Sequence, residues 1–93
     1  MQGVIEKVII VADKIVPFPN PFQNVLNVNI GNQTINNVGV NVINTMSGKT
    51  VLNSKYTNQS GVMQFDMSAL PNGVYYLNLN LDSNKSGYKI IKK

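Results

Sequence analysis

Apolar and polar residues alternate with period two through most of the chain. Met63, Phe65 and Met67 fall on one side of a run that starts at Gly61. Tyr75, Leu77, Leu79 and Leu81 fall on one side of a second run, with Asn78 and Asn80 opposite. Leu26, Val28 and Ile30 alternate with Asn27 and Asn29, and Val38, Val40 and Val42 with Gly39 and Asn41. Such alternation of strand-favouring residues marks half-buried β-strands. Thr50–Tyr56 and Tyr88–Lys92 read as two more. Near the start, Val4, Ile5, Val8, Ile9 and Ala12 also fit a helical stripe, but the crowd of β-branched residues and the missing N-cap favour a strand. The count is about seven short strands, a pattern that predicts an all-β, immunoglobulin-like antiparallel β-sandwich. Cys and Trp are both absent, so an antibody-type domain with its Cys–Trp–Cys signature is excluded, while the architecture is not.

The connections are written in turn residues. Between two of the runs stands Leu70-Pro71-Asn72-Gly73, where Pro71 presets φ and Asn72 and Gly73 tolerate left-handed values. Ser47-Gly48-Lys49 predicts a tight hairpin with a positive φ at Gly48. Asp82 to Gly87 is expected to turn the chain before the last strand. In Val16-Pro17-Phe18-Pro19-Asn20-Pro21-Phe22 the alternating prolines forbid a helix and remove ladder donors. Phe18 and Phe22 are expected to plug the domain's own core, which is favoured over a polyproline ligand for some aromatic groove.

Composition narrows the chemistry. A chain of 93 residues is one small domain that buries only about 60–65% of its unfolded surface, so modest stability is expected. Charged residues are few, at 13%, and about one residue in six is Asn. With no Cys and no His, the chain lacks a disulfide, a thiolate nucleophile, the usual neutral-pH base and the commonest transition-metal ligands. The acids are Glu6, Asp13, Asp66 and Asp82, too few and too scattered for a calcium loop or a supported catalytic pair. Asp66 is expected to bond local backbone in the loop Asp66-Met67-Ser68. Asn32, Asn58 and Asn84 head Asn-x-Ser/Thr sequons but read as turn chemistry. No phosphate-cradling glycine loop occurs, and no cofactor is expected.

The net charge of +4 comes from eight lysines and no arginine, with Lys85, Lys89, Lys92 and Lys93 gathered near the C-terminus. Nucleic-acid sites favour arginine forks or aromatics interleaved with basic residues; neither occurs, so nucleic acid is not expected as a partner. Lysines do blunt an exposed sheet edge against aggregation. No apolar run reaches the ~18 residues of a membrane span, and Val8–Ala12 is too short for a signal-peptide core. Alternation points Tyr75 inward and leaves Tyr76 outside, and one exposed ring is no binding platform.

Three blocks together carry a resemblance. Gly61-x-x-x-Phe65-Asp66-Met67-Ser68-x-Leu70-Pro71-Asn72-Gly73-Val74-Tyr75-Tyr76-Leu77 resembles the hallmark block of the type IX secretion system C-terminal sorting domain. Upstream, Pro19-Asn20-Pro21-Phe22 is similar to the motif that opens that domain. Lys89-Ile90-Ile91-Lys92-Lys93 resembles its lysine-rich final strand, and Gly48 matches its hairpin glycine. The resemblance spans residues 16–93, leaving 1–15 as a linker or added N-terminal strand from a preceding cargo domain.

The resemblance implies a folded address label and not an enzyme. Such a domain rides on the C-terminus of a secreted enzyme or adhesin, crosses the inner membrane and periplasm, and engages the outer-membrane translocon and its shuttle protein. A surface sortase then cuts upstream of it, here expected before Pro17. The cargo ends up secreted or at the cell surface, in some members joined to an anionic lipopolysaccharide. Pro19 and Pro21 would fix the opening, and Pro71 and Gly73 the turn. The final hairpin, Tyr75–Leu81 with Tyr88–Lys93, would present unpaired main-chain groups to a partner, with Lys89, Lys92 and Lys93 steering it towards acidic chemistry. Two features depart from the family: Phe18 stands where Tyr is usual, and Val4–Val11 is more strand-like than a linker. The alternative is a fibronectin-like spacer or carbohydrate-adhesion module of an extracellular hydrolase. A spacer may sit anywhere in a chain, so a sequence ending at Lys93 favours the sorting reading.

Overall fold

A computed structural model describes residues 15–93, and the strand expected at residues 4–11 lies outside them. Six strands follow one another: β1 (Val25–Asn29), β2 (Ile35–Asn44), β3 (Thr50–Gln59), β4 (Val62–Asp66), β5 (Gly73–Leu81) and β6 (Asn84–Lys92). They form two antiparallel sheets, a pair β1-β4 and a four-stranded sheet in the order β3-β2-β5-β6. Both sheets turn their apolar alternates into a single cluster, which contains Leu26, Val28, Met63 and Phe65 from the pair and Val38, Val40, Val42, Tyr75, Leu77, Leu79 and Ile90 from the larger sheet. Burial of these faces is the main favourable term available to a chain this small.

Leu70-Pro71-Asn72-Gly73 is not a hairpin turn. It carries the chain from β4 in one sheet to β5 in the other. The expectation divides: Asn72 has no positive φ, whereas Gly73 has one, at 158°, where an L side chain would be strained. The crossing is held instead by two long side chains. The Tyr75 hydroxyl donates to the Pro71 carbonyl at 2.6 Å and the Lys92 ammonium donates to the Leu70 carbonyl at 2.8 Å. A tyrosine fastened to the backbone a few residues upstream is a recurring device at such corners.

The two hairpins of the larger sheet are local. Between β2 and β3, Asn44 Oδ1 accepts from the amides of Met46 and Ser47 at 2.9 and 3.2 Å, and Gly48 supplies φ 72°. Between β5 and β6 the loop is only Asp82-Ser83, with Leu81 paired to Asn84 and Asp82 at φ 57°. The six-residue turn expected from Asp82 to Gly87 is therefore replaced by a longer strand. Asp82 also fastens β2, accepting from the Asn37 amide at 2.9 Å and donating its own amide to the Asn37 carbonyl at 2.7 Å. Asp66 ends β4 in the two-stranded sheet and Asp82 stands in the β5–β6 connection of the larger one.

Candidate recognition site at the closing strand

The site is built where the opening motif meets the last strand. Pro17 is buried, and Phe18 exchanges both main-chain hydrogen bonds with Asn27 of β1 at 2.8 Å. Four residues later Phe22 reaches the other sheet: its amide donates to the Ile91 carbonyl at 2.8 Å and its carbonyl accepts from the Lys93 amide at 2.9 Å. The Phe18-Pro19 and Asn20-Pro21 bonds are both cis. Prolines are at home here because the segment needs few amide donors of its own. Phe22 is buried in the core as expected, but Phe18 is 44% exposed and is no core plug.

Asn20 completes the junction. Its side-chain nitrogen donates to the Lys89 carbonyl and its side-chain oxygen accepts from the Ile91 amide, both at 3.0 Å. A primary amide carries the same donor and acceptor as a peptide unit, so Asn20 pairs with the β6 edge as a neighbouring strand would. Together, Asn20 and Phe22 satisfy the outward main-chain groups of Lys89 (carbonyl), Ile91 and Lys93 (amide).

The lysines divide. Lys89 and Lys93 are exposed, whereas Lys92 is buried, and its ammonium is committed to the Leu70 carbonyl. The expected outward role for Lys92 is thereby replaced by an inward one, tying the C-terminal strand to the hallmark turn. Lys92 pairs with Gly73 and Ile90 with Tyr75 across β5–β6. Pro19, Asn20, Pro21, Phe22, Leu70, Pro71, Gly73, Tyr75, Lys89, Lys92 and Lys93 therefore gather around one end of the larger sheet, linked by the bonds already described. Gly48 lies in a different connection, between β2 and β3, and Asn72 is exposed with no bond described for it.

The outer edge of β6 is only half occupied. Outward main-chain groups recur every second residue, so beyond Lys89 the next are those of Gly87 and Lys85. No described residue pairs with them. Neither Asn20's role nor the division of this edge follows from period-two patterning, since each depends on residues about seventy positions apart.

Asp66 behaves as expected from sequence. Its carboxylate accepts from the Ser68 amide at 3.0 Å. That backbone bond, with a further bond from the Ser68 side chain, holds the carboxyl below its ordinary range. Among the described residues, no group of three His, Cys, Asp or Glu is placed to hold a metal ion, and no helix is long and apolar enough to cross a membrane.

In a comparison with protein families the chain matches a model described as the secretion system C-terminal sorting domain, over residues 17–93. No curated protein matches the chain. The matched interval opens at Pro17, the first residue of the segment that docks on both sheets.

Proposed function

Because the chain belongs to the family of secretion-system C-terminal sorting domains, its work is sorting and not catalysis, and we propose that its β6 edge is what the type IX machinery reads. In this proposal the two sheets form an immunoglobulin-like sandwich whose closing strand addresses the outer-membrane translocon and its shuttle protein. The cargo ahead of it is delivered to the medium or the cell surface, and a sortase cuts before Pro17.

One observation carries the reading. The opening motif caps the edge from Lys89 to Lys93 and stops, leaving the outward groups of Lys85 and Gly87 and the Lys89 amide without a partner among the described residues. A partner strand adds to such an edge through main-chain bonds, and the exposed Lys85, Lys89 and Lys93 set its register against acidic residues. The cap also limits the binding segment at one end, which a bare edge would not do.

The test separates the edge from the fold. Lys85→Pro removes one outward amide, and proline is tolerated on an edge where its missing N–H faces solvent. In a cargo fusion this variant should stay folded and accumulate in the periplasm. Delivery at the normal rate with the fold intact would remove the free edge from the account.

A further inference from the structure

The outward face of the four-stranded sheet has a composition that the core does not require. One row across the four strands reads Lys55, Gly39, Asn80, Lys85. The next reads Asn53, Asn41, Asn78, Gly87. Three strand spacings place the backbones of Lys55 and Lys85 roughly 14 Å apart. Between them runs a trough of about 510 Å³, with Gly39 in its lining. The Tyr76 ring closes one side, lying against Gly87 so closely that a Cβ there would meet its hydroxyl and ring carbons.

The polar groups of the trough are only partly engaged with one another. Asn78 donates to Asn41 at 3.2 Å, while Asn80 Oδ1 is buried without a hydrogen-bond partner among the described residues. A buried unpaired amide oxygen is unusual enough to need a reason. No carboxylate of the described residues neutralises the two lysines from this face. Among the described residues the acids are Asp66, at the end of β4 in the other sheet, and Asp82, whose carboxylate holds Asn37 at the hairpin end.

We propose that this trough binds an acidic oligosaccharide, with Lys55 and Lys85 meeting its carboxylates, the asparagine amides its hydroxyls and Tyr76 one sugar ring. Each asparagine amide both donates and accepts, as a sugar hydroxyl does. The flanking ammonium groups favour an anionic chain over a neutral one. An extended peptide is disfavoured because β2 and β5, which form the floor, are paired on both sides and offer no ladder to extend. The trough shares Lys85 and Gly87 with the β6 edge but lies on the sheet face and takes no outward main-chain group, so failure of sugar binding leaves the sorting proposal standing.

The probes are tetragalacturonate, neutral maltotetraose and hexaglutamate, each titrated into the 93-residue chain and followed by NMR. Tetragalacturonate should shift the side-chain amides of Asn41, Asn53 and Asn78 and the ring of Tyr76, and maltotetraose should bind more weakly. Lys55→Gln with Lys85→Gln should weaken binding by about tenfold or more, a readily resolved change in Kd, while Lys49→Gln in the β2–β3 connection should not. Gly39→Ala, which adds a methyl group to the trough floor, should also weaken binding in a chain whose spectrum stays dispersed. The proposal is overturned if tetragalacturonate does not bind, if its shifts spread evenly over lysines elsewhere, or if hexaglutamate produces the same shifts with the same affinity.

Discussion

The two halves of β6 share one strand, one neighbour and one register, yet they meet the outside differently. From Lys89 to Lys93 the outer edge is taken up by Asn20 and Phe22, and Lys92 reaches inward to Leu70. From Asn84 to Tyr88 the same edge has no described partner, and four of those five residues are exposed. The difference teaches how a small domain leaves a strand edge available without the strand peeling away. One end is fastened to both the opening motif and the hallmark turn, so the other can stay open. An edge open along its whole length would invite indiscriminate pairing.

If that contrast is right, mutations should divide between the halves. Phe22→Ala empties a fully buried site and weakens the cap, and large-to-small changes of this kind cost about 3–5 kcal/mol. Denaturant unfolding should show the loss, and in a domain of this size much of the chain should unfold at ambient temperature. Lys92→Met keeps an apolar stem but leaves the Leu70 carbonyl without its donor, for an expected loss of about 1–3 kcal/mol. Tyr75→Phe removes the bond to Pro71 alone and should cost about 1 kcal/mol. In the open half, Lys85→Ala should change stability by no more than about 0.5 kcal/mol, the usual range for surface positions. A loss at Lys85 as large as at Phe22 would erase the distinction between anchored and open ends.

The smallest effect concerns pH. Hydrogen bonds from Ser68 hold the Asp66 carboxyl below its ordinary value. The contribution is therefore fully present above the unfolded-state carboxylate pKa and is lost as pH falls through the lower folded value. Asp66→Asn still accepts the Ser68 amide but does not titrate, so its thermal midpoint should fall less than that of the parent on acidification. Equal slopes for the two chains would contradict this.

Period two made the strands legible because it assigns each residue to a face. Leu26, Val28, Val38, Val40, Tyr75, Leu77 and Leu79 are all buried as alternation places them, and Tyr76 is outside. Alternation does not say which strands share a sheet, so the passage from β4 to β5 read as an ordinary turn. It also failed where polar residues continue a strand. Lys85, Ser86 and Gly87 looked like loop, yet they pair with Asn80, Leu79 and Asn78. Gly87 is a strand glycine because the Tyr76 ring occupies the space a side chain would need. Of the site, the residue types at the opening motif and final strand were readable through the family resemblance. The pairing of Asn20 with the β6 backbone was not, because a side chain acting as a strand leaves no periodic trace. Phe18 was misread for a related reason: the segment satisfies its main chain on β1 while its ring stays partly outside.

The central claim is that this folded tail is an address read by the secretion machinery. The most direct measurement places the 93-residue chain behind a fluorescent reporter that carries an inner-membrane export signal, in cells with and without the type IX translocon. The account predicts reporter at the surface or in the medium when the translocon is present, and reporter confined to the periplasm when it is missing. The same location in both strains would contradict it.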